Sequence, residues 1–179
     1  DKCRPSQIVA NDANAEFVSV NFVPSNVVPS DELSNSVRQS VAQWNPPAEP
    51  VELAMARRAF WHALYELANR HRFVAGKWIV PVFSDALADR CLAAVVRHRS
   101  LKAKMALRGQ PRILSVICDD YNDMRACVDA LHTLFRILPR GVVPRSFKAD
   151  IVSVAFPFHS DAVSNTLSTM KLLMSPQDV

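Results

Sequence analysis

Six basic side chains lie close together in the middle of the chain, and their spacing is the strongest chemical signal in the sequence. They are Arg97, Arg99, Lys102, Lys104, Arg108 and Arg112. Apolar and polar side chains alternate across residues 98–108, which is typical of a strand with one buried and one solvated face. Lysines at alternate positions of such a strand project from one face and can contact successive phosphates of a nucleic acid. The sequence therefore predicts that this set binds the RNA backbone with little reading of base sequence.

Positive charge is concentrated in the middle third of the chain. Residues 51–112 hold twelve basic and four acidic side chains, a net charge of +8, whereas residues 1–50 carry −3 and residues 113–179 carry −1. A field of this kind favours a polyanion or an acidic protein surface as partner. The structural alternative is a basic face that contacts only solvent.

Histidines, cysteines and an acidic turn are the other residues with potential chemistry. No Ser, Cys or carboxylate stands at a recognisable triad spacing from a histidine. The acidic turn at Asp119, Asp120 and Asp123 lacks the glycine and the distal glutamate of a calcium loop, so we interpret it as the capped start of a helix. The four cysteines form no CxxC pair and are interpreted as small buried residues in a reducing compartment. We predict a protein that is not an enzyme and holds no metal or cofactor.

Hydrophobic periodicity predicts the elements that position these residues. Helices are expected over residues 51–72, 85–97, 124–138 and 159–174, and strands over residues 77–83, 98–108, 113–118 and 147–156. Ser84 or Asp85 is expected to cap the second of these helices. Pro81 cannot donate a backbone hydrogen bond, which predicts an edge strand or a bulge there. Arg57 is expected to lie near water, away from the apolar face of its helix.

Residues 1–50 differ from the rest in their six prolines and many Ser and Asn residues. Residues 17–23 alternate and predict an edge strand, and residues 31–43 predict a short helix with Ser30 as its N-cap. The rest of this segment has too little apolar surface to fold alone, so we expect an extended arm that wraps a neighbouring protein. Residues 51–179 are expected to form a single α+β domain, a curved and mainly antiparallel sheet backed by helices on one face.

Three segments carry a resemblance to a known family: GKWIV at 76–80, ILSVICDDYNDMRACVDALHTLF at 113–135 and FKADIVSVAF at 147–156. In order and spacing they resemble the basophilic-leukaemia-expressed protein family, whose function is unknown, over roughly half of the chain. The resemblance implies a fold similar to the cap-binding translation initiation factor 4E, which stacks a methylated guanine between two loop tryptophans. In this chain Trp44 lies in the proline-rich arm and Trp78 lies in a strand. The resemblance therefore implies an alternative function, in which one of these two tryptophans stacks on a base.

These observations predict a non-enzymatic module that binds RNA phosphates and neighbouring proteins inside a large ribonucleoprotein. A mitochondrial ribosome component or assembly factor fits best, because the chain begins without Met and a matrix-targeting segment would account for that. A cytoplasmic location is the alternative. A cap-like nucleotide binder, an enzyme with a site assembled from distant residues, and a protein-only adaptor stay open. No membrane partner is expected, because no apolar run reaches the roughly 18 residues of a membrane span.

Overall fold

The computed structural model describes residues 17–20, 29–45 and 47–155. The elements of these residues are, in chain order, β1 (Phe17–Val20), α1 (Asp31–Ala42), α2 (Pro50–Arg70), β2 (Gly76–Val82), α3 (Asp85–Arg97), β3 (Lys102–Ala106), β4 (Arg112–Cys118), α4 (Met124–Ile137), β5 (Ser146–Ala149) and α5 (Asp150–Ala155). The strands form one open antiparallel sheet in the order β1-β3-β4-β2-β5. The predicted α+β fold class is confirmed.

The two faces of this sheet differ in burial. β4 lies between β2 and β3, with Trp78 opposite Val116 and Ala103 opposite the same residue. These positions and those two residues away on each strand are fully or almost fully buried. The positions between them are half-buried, as at Lys77, Lys104 and Ile117, except for Ser115, which is buried. Alternation of side chains along each strand thus gives one apolar face and one mixed face that carries the lysines.

The chain divides into two compact units. The sheet unit contains β1 and the chain from Gly76 to Phe147, and the helical unit contains α1, α2 and the chain from Lys148 through α5. No unit boundary falls at residue 50, where the sequence predicts the end of an arm. Within residues 1–50, β1 pairs with β3 at the edge of the sheet and α1 packs on α2 and α5, so both predicted elements are present.

α3 and α4 pack on the apolar face of the sheet. Ser84 Oγ accepts a hydrogen bond from Leu87 N at 3.3 Å and caps α3, and Asp123 Oδ1 accepts from Ala126 N at 3.0 Å and caps α4. Both helices lie on the same face, because the indole Nε1 of Trp78 donates to Cys127 O of α4 at 2.8 Å and Arg112 pairs with Asp85 of α3.

In the helical unit, Ser30 Oγ caps α1 by accepting from Leu33 N, as predicted. Pro50 is the first residue of α2, where its missing N–H costs nothing. The expectation for Arg57 is corrected: it lies three residues before Phe60 and four before Trp61, on the buried side of α2, and its Nε is buried. The four-residue spacing places its side chain over the apolar stripe rather than opposite it.

Two strand predictions are corrected. β2 lies between β4 and β5 rather than at an edge. Ile79 O accepts a hydrogen bond from Arg145 N at 2.8 Å, just before β5 begins. Pro81 lies two residues further along β2, so its backbone faces the β5 side at a point that β5 does not reach. No strand on that side requires an N–H from Pro81. The strand expected over 147–156 ends at Ala149, and α5 follows at once. Ile151, Val152 and Ala155 are buried, a helical spacing that their β-branched composition obscured.

Some predictions lie outside the described residues. These are the part of the first strand at residues 21–23, the helix at residues 159–174, and the environment of Cys3 and His159.

Candidate nucleic-acid interface

The lysines of β3 lie on the half-buried face of the sheet, as their alternation predicts. The Lys102 side chain is 43% exposed, and its Nζ forms an ion pair and hydrogen bond with Asp119 Oδ2. Lys104 is half-buried and also has an interaction partner. Among the described residues, the strands hold five basic side chains and no acidic one, so the sheet itself contributes only positive charge.

Arg112 projects from the opposite face of the sheet. It faces Val82 across the β2–β4 ladder, and its Nε lies 2.8 Å from Asp85 Oδ1 at the first turn of α3. The side chain is 23% exposed. This ion pair links the start of β4 to α3. It also neutralises part of the charge of the Arg112 guanidinium, which is therefore less available to a phosphate. The predicted set is therefore divided between two faces of the sheet.

Arg97, Arg99 and Arg108 are exposed. Arg97 is the last residue of α3, where its Nε donates to Ala93 O at 3.0 Å, and Arg99 follows one residue beyond the helix cap. Arg108 lies in the turn between β3 and β4, next to Gly109, whose φ of +96° fits that turn. No carboxylate of the described residues forms an ion pair with any of these three arginines.

A groove between α3 and the end of α4 brings a further arginine to Arg97. Its volume is about 360 Å³, and its lining residues are Asp89, Arg90, Ala93, Ala94, Arg97, Ile137 and Pro139. An adjoining hollow of about 340 Å³ shares Arg97 and adds His98. Arg90 and Arg97 are two helical turns apart on one face of α3, about 10.5 Å along the axis. Small alanines between them leave room for both guanidinium groups to reach a bound polyanion.

The sequence prediction missed Arg90. It lies outside the dense stretch that begins at Arg97, and its seven-residue offset from Arg97 was the signal that could have identified it. The pair differs from the β3 lysines in being supported by a helix instead of a strand. We call Arg90 and Arg97 of α3, together with Arg99 just beyond the cap of that helix, the α3 arginines.

The two tryptophans proposed for base stacking differ in burial. Trp78 is 0% exposed, packs edge-on against Phe147 with ring centroids 5.2 Å apart, and has its indole nitrogen occupied by Cys127 O. It is a core residue and has no free ring face for a base from solution. Trp44 is half-buried and packs against Phe60 at 5.0 Å.

The acidic turn has structural roles. Asp119 pairs with Lys102, Asp120 Oδ1 accepts from Asn122 N at 2.8 Å, and Asp123 caps α4. Within residues 17–20, 29–45 and 47–155, no three His, Cys, Asp or Glu side chains are grouped so that they could hold a metal ion. The histidine nearest the α3 arginines, His98, shares a hydrogen bond between its Nδ1 and Ser100 Oγ at 3.0 Å.

No protein-family model and no curated protein matches this chain. The resemblance of its three segments to the basophilic-leukaemia-expressed family thus stays a prediction. In the part of the chain that the structure describes, no helix is both long and apolar enough to cross a lipid bilayer.

Proposed function

We propose that the sheet unit binds the phosphate backbone of RNA through the α3 arginines, as a non-enzymatic component of a ribonucleoprotein. The observation that carries this proposal is the exposure of Arg90 and Arg97 along one groove and of Arg99 just beyond the cap of α3. No carboxylate of the described residues forms an ion pair with any of the three. An exposed guanidinium without an internal carboxylate partner is the group that gains most from a phosphate.

The charge of the whole sheet unit supports the same partner. Residues 76–147 hold twelve basic and six acidic side chains, a net charge of +6. Asp85 and Asp119, two of the six acidic side chains, are already paired within the unit. A net positive field of this size attracts a polyanion from a distance of about one Debye length, roughly 8–10 Å at physiological salt.

The β3 lysines and Arg112 contribute to this field more than to direct contacts. Lys102 would have to leave Asp119 before it could bind a phosphate, and Arg112 would have to leave Asp85. Each exchange replaces one ion pair by another, so its net gain is small. We therefore place the direct contacts of the proposal on the α3 arginines and on Arg108.

The groove favours backbone contacts over base recognition. Apart from its arginines it is lined by Ala93, Ala94, Ile137 and Pro139, with Asp89 as the only acidic lining residue among those described. Among the described residues, no Phe, Tyr or Trp side chain lines the groove or the adjoining hollow, so stacking of single-stranded bases has little support there. We expect binding that depends strongly on salt and weakly on sequence.

A charge-matched substitution tests this proposal. The test variant carries Arg90→Gln, Arg97→Gln and Arg99→Gln. The control carries Arg58→Gln, Arg70→Gln and Arg125→Gln, three exposed positions that do not line the groove. Fluorescence anisotropy with a labelled RNA, single-stranded and as its duplex, measures the affinity of each variant.

The test variant is expected to bind roughly tenfold or more weakly than the control at about 0.1 M salt, because it loses three phosphate contacts while both lose the same charge. Equal weakening of the two variants would mean that only net charge matters. Unchanged affinity in both would contradict contact between the α3 arginines and RNA, and the absence of measurable binding by the wild type would contradict RNA binding itself. That the particle is mitochondrial, and that residues 1–50 contact its proteins, stay predictions from the sequence.

A further inference from the structure

His98 lies beside Arg97 in the hollow that adjoins the groove of the α3 arginines. The hollow has a volume of about 340 Å³, and Ala94 and Ile137 also line it. Alanine and isoleucine side chains carry no hydrogen-bonding group, so within the described residues the polar side chains of the hollow are Arg97 and His98. A nucleic-acid strand that enters the hollow therefore meets a guanidinium and an imidazole side by side.

The Arg97 guanidinium is held by the helix that carries it. Its Nε donates to Ala93 O at 3.0 Å, four residues earlier in α3. Its two terminal amino groups are available to a ligand, because no carboxylate of the described residues forms an ion pair with Arg97. A phosphate in the hollow can accept hydrogen bonds from both amino groups, as phosphates bound by arginine frequently do. Arg97 thus fixes where the phosphate lies.

The His98 ring is oriented by a neighbouring hydroxyl. Its Nδ1 shares a hydrogen bond with Ser100 Oγ at 3.0 Å, and its Nε2 has no hydrogen-bond partner in the part of the chain that the structure describes. When Nδ1 of the neutral ring accepts from Ser100, Nε2 carries the proton and is a donor; when Nδ1 donates, Nε2 is an acceptor. In either tautomer the ring offers Nε2 to a ligand.

We propose that His98 recognises a ribose 2′-hydroxyl, so that the site prefers RNA to DNA. This inference rests on the proposed function, because the strand must first be bound through its phosphates. In RNA the 2′-hydroxyl lies beside the phosphate that joins its nucleotide to the next, as His98 lies beside Arg97. The hydroxyl is both a donor and an acceptor, so it matches Nε2 in either tautomer, and DNA lacks it. Ser100 is a positioning residue, which acts through the imidazole.

This contact supplies a selectivity that the phosphate contacts of the α3 arginines cannot supply, since DNA carries the same phosphates. A 2′-hydroxyl is present at every nucleotide of RNA, so its recognition adds selectivity for RNA without adding a sequence preference. The lining of the groove and the hollow agrees with a sugar contact, because none of the described lining residues is Phe, Tyr or Trp and bases have no broad ring to stack on.

Fluorescence anisotropy with three labelled single strands of one sequence tests the proposal. The strands are RNA, 2′-fluoro RNA, which lacks the hydroxyl but keeps an RNA-like sugar conformation, and DNA. The wild type is expected to bind RNA roughly fivefold more tightly than either of the other two, as the loss of one hydrogen bond implies. This comparison requires no substitution, so it stands whether or not a variant folds.

Substitutions then assign the preference to His98. His98→Ala is expected to lower the ratio of RNA affinity to DNA affinity from about five to about one. The matched control is His62→Ala, at an exposed position of α2 that lines neither the groove nor the hollow, and it is expected to retain the wild-type ratio. Ser100→Ala is expected to lower the ratio, and Ser100→Thr, which keeps the hydroxyl, to restore it.

Equal affinity of the wild type for the three strands would overturn the proposal. A preference for RNA that persists in His98→Ala would also overturn it. So would equal losses of RNA and DNA affinity in that variant, because the imidazole would then contact a phosphate or a base. The proposed function fails separately, when the wild type does not bind RNA or when the variant of the α3 arginines binds RNA as tightly as its control.

Discussion

Two buried tryptophans differ in whether their indole N–H has a hydrogen-bond acceptor. Comparison of the two therefore measures what the Trp78 hydrogen bond contributes to the free energy of unfolding. Trp78 is 0% exposed and its Nε1 donates to Cys127 O at 2.8 Å. Trp61 is 3% exposed, and no acceptor among the described residues bonds its equally buried Nε1. Each also packs on an aromatic neighbour, Phe147 and Phe60 respectively. Replacement of each by Phe removes a similar amount of apolar surface and one N–H.

The expected cost of Trp78→Phe has two parts. The smaller ring loses about 1–2 kcal/mol of burial and packing free energy. Loss of the hydrogen bond, which leaves the Cys127 carbonyl without its indole donor, costs about 1 kcal/mol more. In Trp61→Phe the burial loss is similar, but removal of a buried, unpaired donor returns roughly 1–3 kcal/mol. We therefore expect Trp78→Phe to be more destabilising by about 2 kcal/mol.

Urea unfolding followed by far-UV circular dichroism gives the free energy of unfolding for each variant, with the wild type as reference. Because the two residues belong to different compact units, each transition is fitted separately if two are resolved. A Trp61→Phe cost equal to or greater than that of Trp78→Phe would refute the role assigned to the Trp78–Cys127 hydrogen bond.

Two further predictions concern a helix cap and a buried thiol. Asp123→Ala is expected to cost about 1 kcal/mol of unfolding free energy, whereas Asp123→Asn retains an acceptor for Ala126 N and is expected to cost less; chemical denaturation of both variants checks this, and equal costs would contradict the cap. Burial raises the pKa of the Cys91 thiol above its ordinary value of 9.0, so the unfolded chain ionises first as pH rises. The stability that this thiol contributes is present below pH 9.0 and is lost above it, and Cys91→Ala is expected to flatten the fall in melting temperature over that range.

Local patterns predicted much of this fold. Periodicity located α2, α3, α4 and β2 to within a few residues, because their apolar positions and caps agree with one another. The pattern failed where two signals coincided. In residues 150–155, β-branched residues favoured a strand, but the buried positions follow a helical repeat. Pro81 lacks a backbone N–H only toward one of its two neighbouring strands. The sequence could not show that this neighbour, β5, ends before it reaches Pro81.

The candidate interface was less predictable than the fold. Alternation correctly placed Lys102 and Lys104 on one face of β3, but it could not show that Lys102 meets Asp119 or that Arg112 meets Asp85. Such pairings depend on the order of strands and on the position of α3, which are tertiary. The groove that unites Arg90 with Arg97 arises in the same way, because it requires α3 and the end of α4 to pack, and no local spacing encodes it.

The salt dependence of RNA affinity is the most direct measurement of the central claim. The slope of log K against log salt counts the phosphates that a protein neutralises, at about 0.7 per contact for single strands and 0.9 for duplexes. The account predicts that the slope for the Arg90→Gln, Arg97→Gln and Arg99→Gln variant is shallower than that of the wild type by roughly 2. An identical slope in the two proteins would contradict contact between the α3 arginines and RNA.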